Sequence, residues 1–238
     1  MARVRQLARA PLREAIIDIQ LAHPFDVAFA ESLANLVIPG FERKNEIRQF
    51  SVNITGAGIP TRIEELLGWR YESPDGARII QLRRDGIGYS IVREYTEWAD
   101  IKAAARSVWE LYRKHSGDQD VGRVAVRYIN VLDLPPWTEL NAYLTAAPQV
   151  ADGLPQTLTY FLERVVVPFD EGIFAIIIQT MEQVAHPATR VILDIDVYAQ
   201  RVFGGGSADF WLFLDRLREV KNTVFFSSVT ERTLEAYE

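Results

Sequence analysis

Along "EAIIDIQLAH" the apolar residues Ile17, Ile19 and Leu21 alternate with Asp18 and Gln20. A period of two marks a half-buried strand, because successive side chains leave opposite faces of a sheet. His23-Pro24 ends the run. After Asp26, which suits a helix N-cap, the period changes: Val27, Ala30, Leu33, Ala34 and Val37 share one helical face until Pro39-Gly40 stops it. Four β-like runs follow, "EIRQFSVNITG", "GWRYESPDG", "ARIIQLRRDG" and "IGYSIVREY", punctuated by Gly56, Pro74-Asp75-Gly76 and Asp85-Gly86. Asp-Gly between alternating runs predicts a hairpin, since both residues tolerate positive φ. Thr96 is then placed to cap a long helix whose inner face is Trp98, Ile101, Ala105, Val108 and Tyr112.

The second half repeats this order. "RVAVRYINVLDL" reads as a strand, Pro135-Pro136 as a corner and "WTELNAYL" as a short helix. A turn-rich stretch leads to three strands, "TLTYFLERVVV", "GIFAIIIQTM" and "TRVILDIDVYA". "GGGS" breaks the chain before a helix from Ser207 with Phe210, Leu214 and Leu217 on one stripe, and Ser228 and Glu231 have capping-box spacing for a last short helix. The expected fold class is α+β: antiparallel sheets covered on one face by helices, as two tandem β-α-β(3-4)-α units in a topology that resembles the TATA-binding protein. That likeness concerns topology and carries no function. The halves divide at 1–118, which includes a basic N-terminal arm, and 119–238, unless the two form one continuous domain.

The segments "APLREAIIDIQL", "VAVRYINVLDL", "VILDIDVY" and "NTVFFSSVTERTLEAY" resemble, in order, the signature segments of a sporadically distributed bacterial family of about this length. The resemblance spans the chain from Pro11 nearly to the end. It implies a bacterial, cytoplasmic protein and brings no activity, cofactor or catalytic residue, so function has to be argued from the residues.

Composition narrows the choices. The 238 residues are 48% apolar and 24% charged, as in an ordinary globular protein, and they include no cysteine. Disulfides, thiolate nucleophiles and cysteine-ligated metals are thereby excluded. The apolar runs, such as "IFAIII", fall well short of the roughly 20 residues needed to cross a bilayer. "MARVRQLARAPLR" has four arginines but no apolar segment of the secretory kind, so a cytoplasmic location is expected. The net charge of -6 lies almost wholly in the second half. An acidic chain repels phosphate backbones, so nucleic-acid binding would need a local basic surface.

Three constellations bear on chemistry. In "LDIDVY", alternation puts Asp194 and Asp196 on one strand face, roughly 6 to 7 Å apart, with Leu193, Ile195 and Val197 on the other. Two carboxylates at that spacing suit a divalent cation or an acid-base pair, and Arg127 of "VRYIN", if its strand lies alongside, would pair with one of them or stabilise developing negative charge. No other cofactor is predicted. Arg83, Arg84, Tyr89, Arg93 and Tyr95 cluster around a hairpin and, with Tyr128 and Asn130, are candidates for a binding surface; arginine among aromatics can stack bases of single-stranded nucleic acid. That partner is disfavoured, because alternation assigns some of these side chains to the core. Third, "GGGSADF" lacks the Gly-Lys-Ser/Thr ending of a phosphate loop, and His23, His115 and His186 lack metal-ligand spacing. The leading expectation is a non-catalytic binding or interaction protein with a protein partner or self-association. The alternatives are a metal-assisted hydrolase or phosphoryl-transfer enzyme using Asp194 and Asp196, and a single-stranded nucleic-acid binder.

Overall fold

The computed structural model describes every residue except 1, 55–59, 93–96, 136–138, 183–188 and 205–208, and the side chains outside those and outside 51–54, 60–62 and 171. In chain order the elements are β1 (Leu12–Leu21), α1 (Val27–Ser32), β2 (Arg43–Ile54), β3 (Pro60–Glu72), β4 (Arg78–Arg83), β5 (Gly86–Val92), α2 (Trp98–Ser116), β6 (Val121–Leu134), β7 (Leu162–Pro168), β8 (Ile173–Glu182), β9 (Thr189–Phe203), α3 (Asp209–Ser228) and α4 (Glu231–Leu234).

Among the described residues the strands form one nine-stranded antiparallel sheet in the order β2-β3-β4-β5-β1-β6-β9-β8-β7. This corrects the expected architecture of separate helix-covered sheets in two TATA-binding-protein-like units. The two alternating runs that open the halves, β1 and β6, are neighbours in the ladder, so no sheet ends between them. Periodicity reports which face a strand buries and is silent on its neighbours.

By contacts the chain divides into two compact units. The first comprises Met1–Ala15, Ala125–Gln200 and Asp209–Glu238. Its core joins Val126, Leu132, Ala175, Leu193, Ile195 and Val197 of the strands with Phe210, Leu214 and Leu217 of α3, all buried. The basic arm is anchored in this unit: the Ala2 N–H donates to the carbonyls of Phe226 and Val229, and the Arg5 guanidinium pairs with Glu231 and Glu238.

The second unit comprises Ile16–Val124 and Arg201–Ala208. Here α1 packs on β3 and α2 on β5. Polar tips of buried and half-buried aromatics end on helix and strand carbonyls: Trp69 Nε1 donates to Ala30 (2.9 Å), Tyr71 to Leu33 (3.0 Å) and Tyr112 to Arg83 (2.8 Å).

Local departures from the sequence reading have local causes. The helix after Asp26 runs only to Ser32 and continues as a 3-10 turn, Leu33–Asn35, which leaves Val37 exposed; a residue before proline, here Ile38, disfavours helical geometry. Of "WTELNAYL", Trp137 and Thr138 lie outside the described residues and the remainder holds one 3-10 turn, Leu140–Ala142. Tyr143 and Thr145 instead exchange backbone bonds with Thr230 and Ser228, bonds a continuing helix could not make. Ser228 lies in the last turn of α3 and donates to Val224, so Thr230 precedes α4 in its place. Gly56, the proposed cap Thr96, Pro136, Gly205, Gly206 and the proposed cap Ser207 lie outside the described residues. Among the described residues no helix is long and apolar enough to cross a membrane.

Candidate functional site

Alternation along β9 buries Val191, Leu193, Ile195 and Val197 and turns Asp194 and Asp196 to the other face. On β6 the same period buries Val126, Tyr128 and Asn130 and sends Arg127 to the face of the aspartates. Arg127 Nε donates to Asp194 Oδ1 (2.9 Å) and Nη2 to Oδ2 (2.6 Å), a two-pronged pair that occupies both carboxylate oxygens. Its guanidinium is held more firmly protonated than usual by the hydrogen bond to Asp194; burial opposes this, and the charges of Asp194, Asp196 and Glu14 reinforce it. A cation seeking Asp194 must displace a fixed positive charge. Among the described residues no group of three or more His, Asp or Glu is placed to hold a metal ion.

The proposed binding surface does not assemble. Tyr89 and Tyr128 are buried, at 4% exposure each, and Asn130 is spent donating to the Leu193 carbonyl (3.1 Å). Arg83 is also buried, with Nη2 on Asp18 (2.7 Å), Nε on Asp85 (2.9 Å) and Nη1 on Gln81 (3.1 Å). Burial works against its charge, but Asp18 and Asp85 outweigh it and hold the proton more tightly than normal. Arg84 is taken up by Glu65 (3.0 Å). Arg93 and Tyr95 lie outside the described residues, as does His186. His115 Nε2 sits 2.7 Å from Ser32 Oγ in an ordinary helix-to-helix contact.

Three features escaped the sequence reading. Lys221 of α3 lies with Nζ 3.9 Å from the centre of the Tyr128 ring and 2.5 Å from Asn222 Oδ1, and burial, then the charge of Arg218, pushes its ammonium down to about 7. A cleft of about 790 Å³ collects Glu139, Asn141, Asp152, Gln156 and Met181 from segments far apart in the chain, so no local motif announces it.

The third is β7, the last strand of the sheet. Leu162, Val165, Val166 and Val167 are 63, 41, 45 and 37% exposed, an apolar row on both faces of an edge. Its register against β8 runs from Leu162↔Thr180 to Pro168↔Phe174. The Phe169 N–H donates to Ile173 (2.7 Å) and the Met181 N–H to Phe161 (3.2 Å), so odd-numbered positions bond inward. In an antiparallel ladder the intervening residues point their groups away. The N–H and C=O of Leu162, Arg164 and Val166, with the C=O of Pro168, therefore face the free edge. By contrast β2, the other terminal strand, carries Arg43, Lys44, Glu46 and Arg48 and a register shift between Ile47 and Arg48, devices that discourage pairing. One signal in the sequence marked β7: Pro168 closes the run, and proline in sheets is confined to edges and strand ends.

Comparison of the chain with protein-family models, with curated proteins and with solved structures gives no match.

Proposed function

We propose that the protein is a non-catalytic interaction module that takes an extended protein segment along the free edge of β7. The observation that carries this reading is the unguarded β7 edge: outward backbone groups at Leu162, Arg164 and Val166 beside four exposed apolar side chains. In strand addition the main-chain bonds supply affinity and alternate side chains supply selectivity. A cytoplasmic setting and membership of the bacterial family noted above belong to the same reading. The two-aspartate hydrolase has against it that Arg127 already holds both oxygens of Asp194, and base stacking has against it that Tyr89 and Tyr128 are in the core.

Val166→Pro is the direct test. It removes an outward N–H and no bond to β8, so the fold should survive. Titration of the ¹⁵N-labelled protein with a synthetic valine- and threonine-rich strand peptide is expected to shift the amides of Leu162, Arg164 and Val166, and Val166→Pro should abolish the response at Leu162 and Arg164. Unchanged amides in the native protein would refute the reading.

A further inference from the structure

We infer that the segment β7 accepts is β7 of a second copy of this chain, antiparallel, with Val165 on the two-fold axis. This rests on the reading of β7 as a docking edge. The argument is self-complementarity. The outward positions 162, 164, 166 and 168 are symmetric about Val165. In that register the N–H and C=O of Arg164 exchange bonds with those of the partner's Val166, and the Leu162 N–H meets the carbonyl of the partner's Pro168. The donor that Pro168 lacks falls opposite the last carbonyl of the ladder, where water can serve. Pro168 thus limits the ladder to a strand of β7's own length.

Alternative registers are poorer. A two-fold pair keeps paired side chains on one face, so the axis must pass through a residue. Centring on Arg164 or Glu163 sets like charges directly opposite. Centring on Val166 pairs Arg164 with the partner's Pro168, which has no N–H to return, and carries the ladder onto Asp170, whose carbonyl already accepts from Ile173. Around Val165 the valines meet each other, Leu162 covers the partner's Pro168, and Glu163 faces the partner's Val167. The one unfavourable contact is diagonal, between the two Arg164 side chains, which salt will screen. A single short strand makes a small interface, so the dimer is weak and concentration-dependent.

The chain has no cysteine, so one introduced thiol reports alone. Opposed residues of a non-hydrogen-bonded pair lie about 4.5 Å apart at Cα, within disulfide reach. Light scattering on the native chain is expected to climb from the 27.1 kDa monomer toward twice that mass with concentration, more readily at higher salt, while Val166→Pro stays monomeric. Oxidation of Val165→Cys should give a covalent dimer about tenfold faster than Arg164→Cys, whose thiols are offset along the strands. A strict monomer overturns the inference, and so does a dimer that cross-links faster through Val166→Cys. If the monomer still shifts its Leu162, Arg164 and Val166 amides with the strand peptide, only the second copy is refuted; if it shows neither, the edge reading falls with it.

Discussion

Asp18 receives guanidinium groups from Arg83 (2.7 Å) and Arg123 (3.3 Å), and Arg83 is the more deeply buried member of the group. Removing one partner of a buried pair strands the other charge in low dielectric, which costs more than replacing the pair. Asp18→Ala leaves the buried Arg83 with Asp85 and Gln81 and is expected to lose about 2 kcal/mol; Arg83→Met leaves the more exposed Asp18 on Arg123 and should lose less, and urea unfolding of both variants checks the order. Lys221 gives a pH signature. Its value falls from the ordinary 10.5 to about 7 on folding because burial disfavours the ammonium. Between those values the unfolded chain holds a proton that the native state has released, so stability rises with pH across that window. Lys221→Met should melt higher than the native chain below pH 7, with the gap closing toward pH 10. Melting curves across that range test it, and an unchanged gap would contradict it.

At the scale of elements, glycine matters where a neighbour comes close. Gly86 opens β5 at φ 136°, and a Cβ there would fall on the Ile19 carbonyl oxygen; Gly76, in the turn before β4, has φ 70° and open space around it. Gly76→Ala should cost about 1 kcal/mol, the strain of a left-handed residue, whereas Gly86→Ala must push β5 and β1 apart at that point and should lose more than about 4 kcal/mol. Chemical denaturation distinguishes the two. The same scale explains why the place of β7 in the sheet was hard to read. A run of three valines also suits a strand buried on both faces, so apart from the hint of Pro168 it is the strand order that puts Val165 to Val167 at an edge. "LDIDVY" was legible because each of its residues faces as alternation dictates. "WTELNAYL" was not, since bonds from Thr230 and Ser228 override its helical pattern.

For the whole molecule, the proposed pairing through β7 would link stability to concentration, because a state bound only when folded is stabilised by mass action. The native chain's melting temperature is expected to climb as protein concentration rises, and Val165→Lys should flatten that dependence while leaving the dilute value unchanged, since Val165 is exposed in the monomer. Differential scanning calorimetry over a concentration series decides it; an equal slope in the variant would count against the edge as the site of association. The basic arm shows the opposite behaviour, spending Arg5 on Glu231 and Glu238 within one unit.

Local chemistry, read along the chain, determined most of the strands and the two long helices, the faces they bury and the side of β9 on which Asp194 and Asp196 stand, because period, turn residues and proline act over a few positions. Tertiary structure alone decided that β1 and β6 adjoin, which aspartate Arg127 closes on, that Arg83 is interior, and that, among the described residues, β7 ends the sheet. Those outcomes depend on which distant segments share a ladder, and side-chain alternation is the same whichever strand lies alongside.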